Sequence, residues 1–240
     1  MRKLLAVLLV LLAASCVLGQ VNVVISRGSS DAVLQEIRNS TLPLSVKNAW
    51  LQSLPRAFAK GLVSPAVALG FFRNLEGAPD ALAVEITDIM VPLLGLDLPL
   101  DYLMNTLSRD IRMGLPWDMV RNDIKLRAGL ILAAHGVLSA HRPHSIATSS
   151  FSINIGGMEI HGHTPTWEDV EVEVAGALAD FIAKGGSPND TQGMYNAVVE
   201  RLRRLRASGF AVQYIDHLLQ ALSPDMVGQI IKRTFSSERG

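Results

Sequence analysis

The stretch RMGLPWDMVRNDIKLRAGLILAAHGVLSA, residues 112–140, decides the class of the fold. It opens on a corner. Gly114 can take the left-handed conformation that closes a helix, and Pro116 sits where a new helix starts and a missing N–H costs little. Beyond the corner, Val120 and Ile124 recur at helical spacing among alternating charges. From Ala128 to Leu138 the run is apolar apart from His135. The pattern predicts a helix over 116–140, solvated in its first half and buried in its second, and makes it the candidate central helix.

The same punctuation recurs on both sides of this stretch. A serine precedes proline at Ser64-Pro65, Ser187-Pro188 and Ser223-Pro224, and leucine does so at Leu54-Pro55, Leu98-Pro99 and Leu115-Pro116. Each serine is placed to accept a bond from the free N–H groups of a helix start. Gly61, Gly95, Gly114 and Gly186 stand just before, and Gly209 marks a break without proline. The helices expected are 31–39, 44–60, 65–75, 80–94, 99–112, 116–140, 166–184, 188–207, 210–221 and 224–235. The fold class is therefore mainly α, a multi-helix domain of short helices joined by Ser-Pro and Leu-Pro corners. The corners 112–116 and 183–188 resemble each other, so degenerate helical repeats are one reading and independent reuse of good corner chemistry is the other. The spacing is not constant and matches no known repeat signature.

The helix over 188–207 shows its faces. Met194, Val198, Leu202 and Leu205 form an apolar stripe, with Arg201, Arg203, Arg204 and Arg206 mostly off it. Glu200 and Arg204 are one turn apart and can pair. The arginine run reads either as a solvated face or as a contact to anionic headgroups.

Between Ala140 and Thr166 the helical pattern stops. Residues 151–155 and 158–163 alternate apolar and polar around Gly156-Gly157, which predicts one β-hairpin insertion near 150–163. In that register Ile155 opposes Met158 and Ile153 opposes Ile160. His141 and His144 precede the hairpin, and His161 and His163 end it. Closure of the hairpin would bring the four imidazoles together near Glu159, a donor set suited to zinc, copper or nickel. The competing reading is a polar loop with solvated histidines. His135 is expected as a hydrogen-bonded core residue, and His217, beside Asp216, as a surface or cap residue.

At the start of the chain, Arg2 and Lys3 precede an apolar run from Leu4 to Ala14, then Ser15 and Cys16, the single cysteine of 240 residues. The run has secretory length and is too short for a permanent span. An apolar stretch, small residues and then cysteine resembles the lipobox of bacterial lipoprotein precursors. The resemblance covers residues 1–16 only, and Ala13 stands where that class prefers leucine. It implies cleavage before Cys16, acylation of its thiol and new amino terminus, and membrane attachment by several chains. An ordinary signal peptide cut after Val17-Leu18-Gly19, giving a secreted or periplasmic protein, and an uncleaved anchor are the alternatives. Each places the rest of the chain outside the cytoplasm.

The organisation expected is a signal peptide at 1–15, a tether at 16–30 and a single helical domain at 31–240. Subdomains 31–141 and 166–240, hinged at a 142–165 loop and hairpin, are the alternative. Val21, Val23, Val24 and Ile25 favour a brief strand in the tether, ended by Gly28-Ser29-Ser30. With Cys16 committed to the leader or the anchor, the domain has no internal disulfide and depends on its core. The 22 basic and 22 acidic residues give zero formal net charge, which argues against electrostatic nucleic-acid binding. No Gly-x-Ser-x-Gly elbow, phosphate-binding glycine loop or His-Glu-x-x-His motif occurs. The function expected is a lipid-anchored envelope protein that binds a protein partner. One alternative is a metal-binding protein or metal-dependent hydrolase using His141, His144, His161 and His163. The other is a carrier of a lipid or small hydrophobic ligand.

Overall fold

The computed structural model describes residues 22–25, 30–143, 150–155, 158–163 and 165–236, with backbone only for 22–25 and 150–163. The leader and Cys16 lie outside the described residues. The fold is mainly helical. The helices are α1 (Ser30–Asn39), α2 (Leu44–Lys60), α3 (Pro65–Leu75), α4 (Asp80–Gly95), α5 (Asp101–Arg112), α6 (Trp117–Leu138), α7 (Trp167–Ala183), α8 (Thr191–Ala207), α9 (Val212–Ala221) and α10 (Pro224–Ser236). None of them is long and apolar enough to cross a membrane.

The helix ends share one closing device. In α2, Gly61 has φ 71°, its N–H donates to Phe58 O, and the Leu62 N–H donates back to Ala57 O. The same pair of bonds follows α5 at Gly114 and Leu115, α7 at Gly185 and Gly186, and α8 at Gly209 and Phe210. Each first glycine has positive φ. This is the Schellman closure, in which a left-handed residue lets two orphan carbonyls find donors. Two positions correct the sequence reading. After α4 the left-handed residue is Asp97 (φ 58°) rather than Gly95, and after α7 it is Gly185 rather than Gly186. Asp97 carries a conformation unfavourable for most side chains, and Arg56 and Lys60 hold its carboxylate at 2.9 and 2.6 Å. Gly186 matters for space instead, since a Cβ there would lie 2.2 Å from Phe181.

The helix starts follow the expected chemistry only in part. Ser223 accepts from Met226 N at 3.3 Å. Ser64 makes no side-chain cap; its N–H donates to Asp101 Oδ1 at 2.8 Å. Ser187-Pro188 falls in a turn before α8, which Asp190 caps by accepting from Gly193 N. Pro55 is not at a corner but inside α2, and Pro92 lies inside α4. The prolines that precede helices are Pro43, Pro79 and Pro116, all with φ −52° to −55° and ψ 140° to 144°. Their carbonyls accept from Lys47, Ala83 and Val120 at 3.0, 3.0 and 3.1 Å.

In the first half of the chain each helix packs on the one two places further along. α2, α4 and α6 form one layer, and α1, α3 and α5 the other. The cross-links repeat at a nearly constant sequence separation. Glu36 pairs with Arg73, Trp50 with Thr87, Lys60 with Asp97, and Ser64 with Asp101, each 37 residues apart. Glu85 and Arg121 are 36 apart. These links join start to start and end to end, so helices within a layer run parallel. The α1 start, the α2–α3 and α4–α5 corners and the α6–α7 connection therefore lie along one edge.

The core runs through both halves, from Val33 to Ile231. Trp50, Phe71 and Phe72 meet edge to face with centroids 4.9 to 5.6 Å apart, and the Trp50 indole N–H donates to Thr87 Oγ1 at 3.0 Å. Each such ring contributes area burial plus about 0.5–1.5 kcal/mol from its oriented contacts. The second half of α6 is buried as expected, and α6 packs against α4 and α5 on one side and α7 and α10 on the other.

Three short strands also pair, β1 (Asn22–Ile25) ahead of α1 with β2 (Ser150–Ile155) and β3 (Met158–His163) from between α6 and α7, in the order β1-β3-β2. Ile155 lies opposite Met158, and Ile153 and Ile25 both lie opposite Ile160. Gly156 and Gly157, where the turn was expected, lie outside the described residues.

Candidate functional site

Two groups of ionisable side chains are buried where α6 meets its neighbours. The first lies among α5, α6 and α7. Arg127 is 3 % exposed. Its Nε donates to Asp123 Oδ2 at 2.6 Å, and its Nη1 donates to Asp180 Oδ1 at 3.1 Å and to the Tyr102 hydroxyl oxygen. The same guanidinium stands 5.5 Å from the Tyr102 ring centroid. Burial pushes the Tyr102 hydroxyl up to about 12. The ring of Tyr102 lies on α7 because position 176 is glycine; a Cβ there would be 3.1 Å from Tyr102 Cζ. Beside this group, burial raises the Asp110 carboxyl, Arg109 opposes the rise, and Asp123 adds to it.

The second group lies at the end of α6 and the start of α7. Thr166 begins α7 with a capping box: its hydroxyl accepts from Asp169 N, and Asp169 Oδ2 accepts from Thr166 N at 2.7 Å. This fixes the first turn and aims Trp167, Glu168 and Glu171 back at α6 and α9. The Glu171 side chain is fully buried, with Oε2 2.7 Å from His135 Nδ1 in a hydrogen bond. Its Oε1 has no hydrogen-bond partner, and neither has the buried Trp167 Nε1. Burial pushes the Glu171 carboxyl up to about 7; the bond to His135 works downward, Glu168 adds to the rise, and the nearby Trp167 indole lowers it slightly. Glu168 Oε1 accepts from Arg142 at 2.7 Å, and His217 Nε2 donates to His141 O at 2.9 Å. Trp167 meets Tyr214 and His217 edge to face. A buried carboxylate that orients an imidazole and exchanges protons near neutrality is a common element of functional sites.

His135 is thus the hydrogen-bonded residue expected, with Glu171 as its partner. His217 is exposed, as expected, and bonds the chain after α6. His141 is exposed, and only its carbonyl takes part in the contacts given above. His144 lies outside the described residues, and the side chains of His161 and His163 are likewise not described. Among the described residues, no three His, Cys, Asp or Glu side chains are placed to hold a metal ion. In the arginine run, Arg201 pairs with Glu173 at 2.7 Å, Arg204 with Glu200 at 3.6 Å, and Arg206 with Asp216.

Sequence reasoning missed Glu171 and Arg127. Glu171 sits between Val170 and Val172 in an acidic run that reads as a solvated helix start, and Arg127 reads as one more charge on α6. The only local signal was a charge at a position where the apolar stripe continues on both sides. One groove of about 690 Å³ runs between the α8 start and α10, lined by Pro188, Thr191, Ile231, Lys232 and Phe235 among others. Compared with protein-family models, with curated proteins and with solved structures, the chain matches none.

Proposed function

We propose that the chain is an exported helical interaction module, attached to a bacterial envelope membrane through lipid on Cys16 and binding a protein partner. In this reading α1–α6 are degenerate two-helix units stacked side by side, and residues 150–163 are a hairpin inserted where the α6–α7 corner would otherwise be tight. The recurrence of cross-links at 35 to 37 residues supports the repeat. Stacked units present a long ridged surface while each contacts only its neighbours.

The observation that carries the binding reading is where large apolar side chains are exposed. Leu44, Met113 and Met119 are the most exposed, at 72 %, 67 % and 56 %, ahead of Leu96 and Leu132 at 45 % each. All three sit at the starts of α2 and α6, on the edge opposite the one where the chain enters α1. A chain tethered through residues before α1 would present that edge away from its attachment.

The experiment has two parts. Cys16→Ser should release the protein from membranes and remove a lipid-sized mass. Retention of the unlipidated variant at the membrane would reject the anchor. A photo-crosslinking residue at position 113 should give a discrete adduct that Met119→Asp weakens, while the same probe at exposed Gln220 gives none. Identical adducts from both positions would reject the apolar edge as the contact.

A further inference from the structure

Three cross-links tie the end of α6 and the chain after it to the start of α7 and to α9. His135 meets Glu171, Arg142 meets Glu168, and His217 meets the carbonyl of His141; the Thr166–Asp169 box, within α7 itself, fixes the turn that carries them. Of these, only the Glu171 carboxylate is wholly removed from water. An ionised carboxylate there keeps its hydrogen bond to His135 and leaves Oε1 without a partner, a desolvation penalty that His135 offsets only in part.

We propose that the α6–α7 seam is a proton-operated contact, in which a proton on the buried Glu171 carboxyl, hydrogen-bonded to His135, holds the first turns of α7 tightly on α6, and loss of that proton loosens them. The inference does not depend on lipid at Cys16. It makes the end of α6 and the first turns of α7 sensitive to the pH of the compartment the protein faces.

The charged surroundings agree with this assignment. From α6 and the chain after it come His135 and Arg142, with Arg142 engaged by Glu168. From α7 come Glu168 and Asp169, the latter held in the capping box, and Glu173, which is paired with Arg201 of α8. From α9 come Tyr214 and His217, both on the Trp167 ring. From α10, Arg233 donates to Gly136 O at 2.8 Å and is thereby directed at backbone. Among these contacts, no lysine or arginine reaches Glu171.

The direction follows from linkage. A carboxyl whose folded pKa lies above its unfolded value binds more protons when folded, so its stabilising effect is full below the unfolded pKa and is lost as pH rises through the folded one. For Glu171 that window runs from 4.5 to about 7.

Hydrogen exchange of the purified full chain, read as protection factors corrected for intrinsic rates, tests the proposal. Between about pH 5.5 and about pH 8.5, amides in the first three turns of α7 should lose protection at least about tenfold. Amides of α3 should not change. In Glu171→Gln, which keeps the shape and the bond to His135 but cannot ionise, α7 protection should be the same at both pH values. In His135→Gln the transition should move to higher pH, because the bond that lowers the Glu171 pKa is weakened. Equal protection of α7 at both pH values in the unmodified protein, or a loss that survives in Glu171→Gln, would overturn the assignment.

Discussion

Trp50, Phe71 and Phe72 fill the space between α2, α3 and α4 with three rings, one hydrogen bond and no charge. The space among α5, α6 and α7 holds Arg127, Tyr102, Asp123 and Asp180, and further along the same seam His135 and Glu171. Both regions pack helices of similar length and join them by related corners. They differ in what failure means. An apolar interior loses stability in proportion to the atoms removed and is indifferent to pH. An interior built on buried ions tolerates loss of shape poorly and loss of a partner worse, because the group left behind remains desolvated. The first region therefore contributes stability that does not depend on pH, and the second a part that does.

That contrast can be tested by substitution. Trp50→Ala should give the largest effect, a destabilisation of about 3–5 kcal/mol, with a urea midpoint shift of similar size at acid and neutral pH. A shift that differed strongly between the two would mean that the first region also contains a titrating element. Arg127→Met removes the cation but keeps much of the volume. It should cost about 2 kcal/mol, since Asp123 and Asp180 retain some access to water. If this variant were as stable as the parent, the network would be a passenger on helix packing and the contrast would weaken.

Asp97 supplies the smallest effect and the sharpest comparison with Glu171. The hydrogen bond from Lys60, first, then the Lys60 and Arg56 charges hold the Asp97 carboxyl below its usual range, against the opposing effect of burial. Its contribution is therefore present above the unfolded pKa and lost as pH falls through the folded one, the reverse of Glu171. The side chain is 42 % exposed, so solvent screening keeps the ion pairs small. Asp97→Ala should cost about 1 kcal/mol, from left-handed strain plus the lost pairs, whereas Asp97→Gly should stay within about 0.5 kcal/mol of the parent because relief of strain offsets them. Thermal melts of the two variants side by side decide it. Equal losses would show that backbone strain is not what distinguishes this corner.

How much of this was legible depends on the range of the interaction that carries it. The helices over 44–60, 65–75 and 224–235 were readable almost to the residue, because apolar spacing, Gly and Pro act within a turn or two of the chain. The closures at Gly61, Gly114 and Gly209 were readable for the same reason. Asp97 was not, since its neighbour Gly95 is the better left-handed residue in isolation; the Asp97 carboxylate meets Arg56 and Lys60, side chains of another helix. The spacing of Pro43, Pro79 and Pro116 was present in the sequence. It becomes visible only once the three prolines are known to start helices of one layer.

The sequence alone determined most helix ends and which stripe of each faces inward, since those follow from backbone sterics and periodic burial. Only the tertiary structure decided which charges go inside. Glu171 and Arg127 are ordinary surface residues by local pattern. They become buried because α7 lies along α6, and their partners His135, Tyr102 and Asp180 are 25 to 53 residues away. Desolvation is a property of what covers a group, and no local stretch of chain contains that.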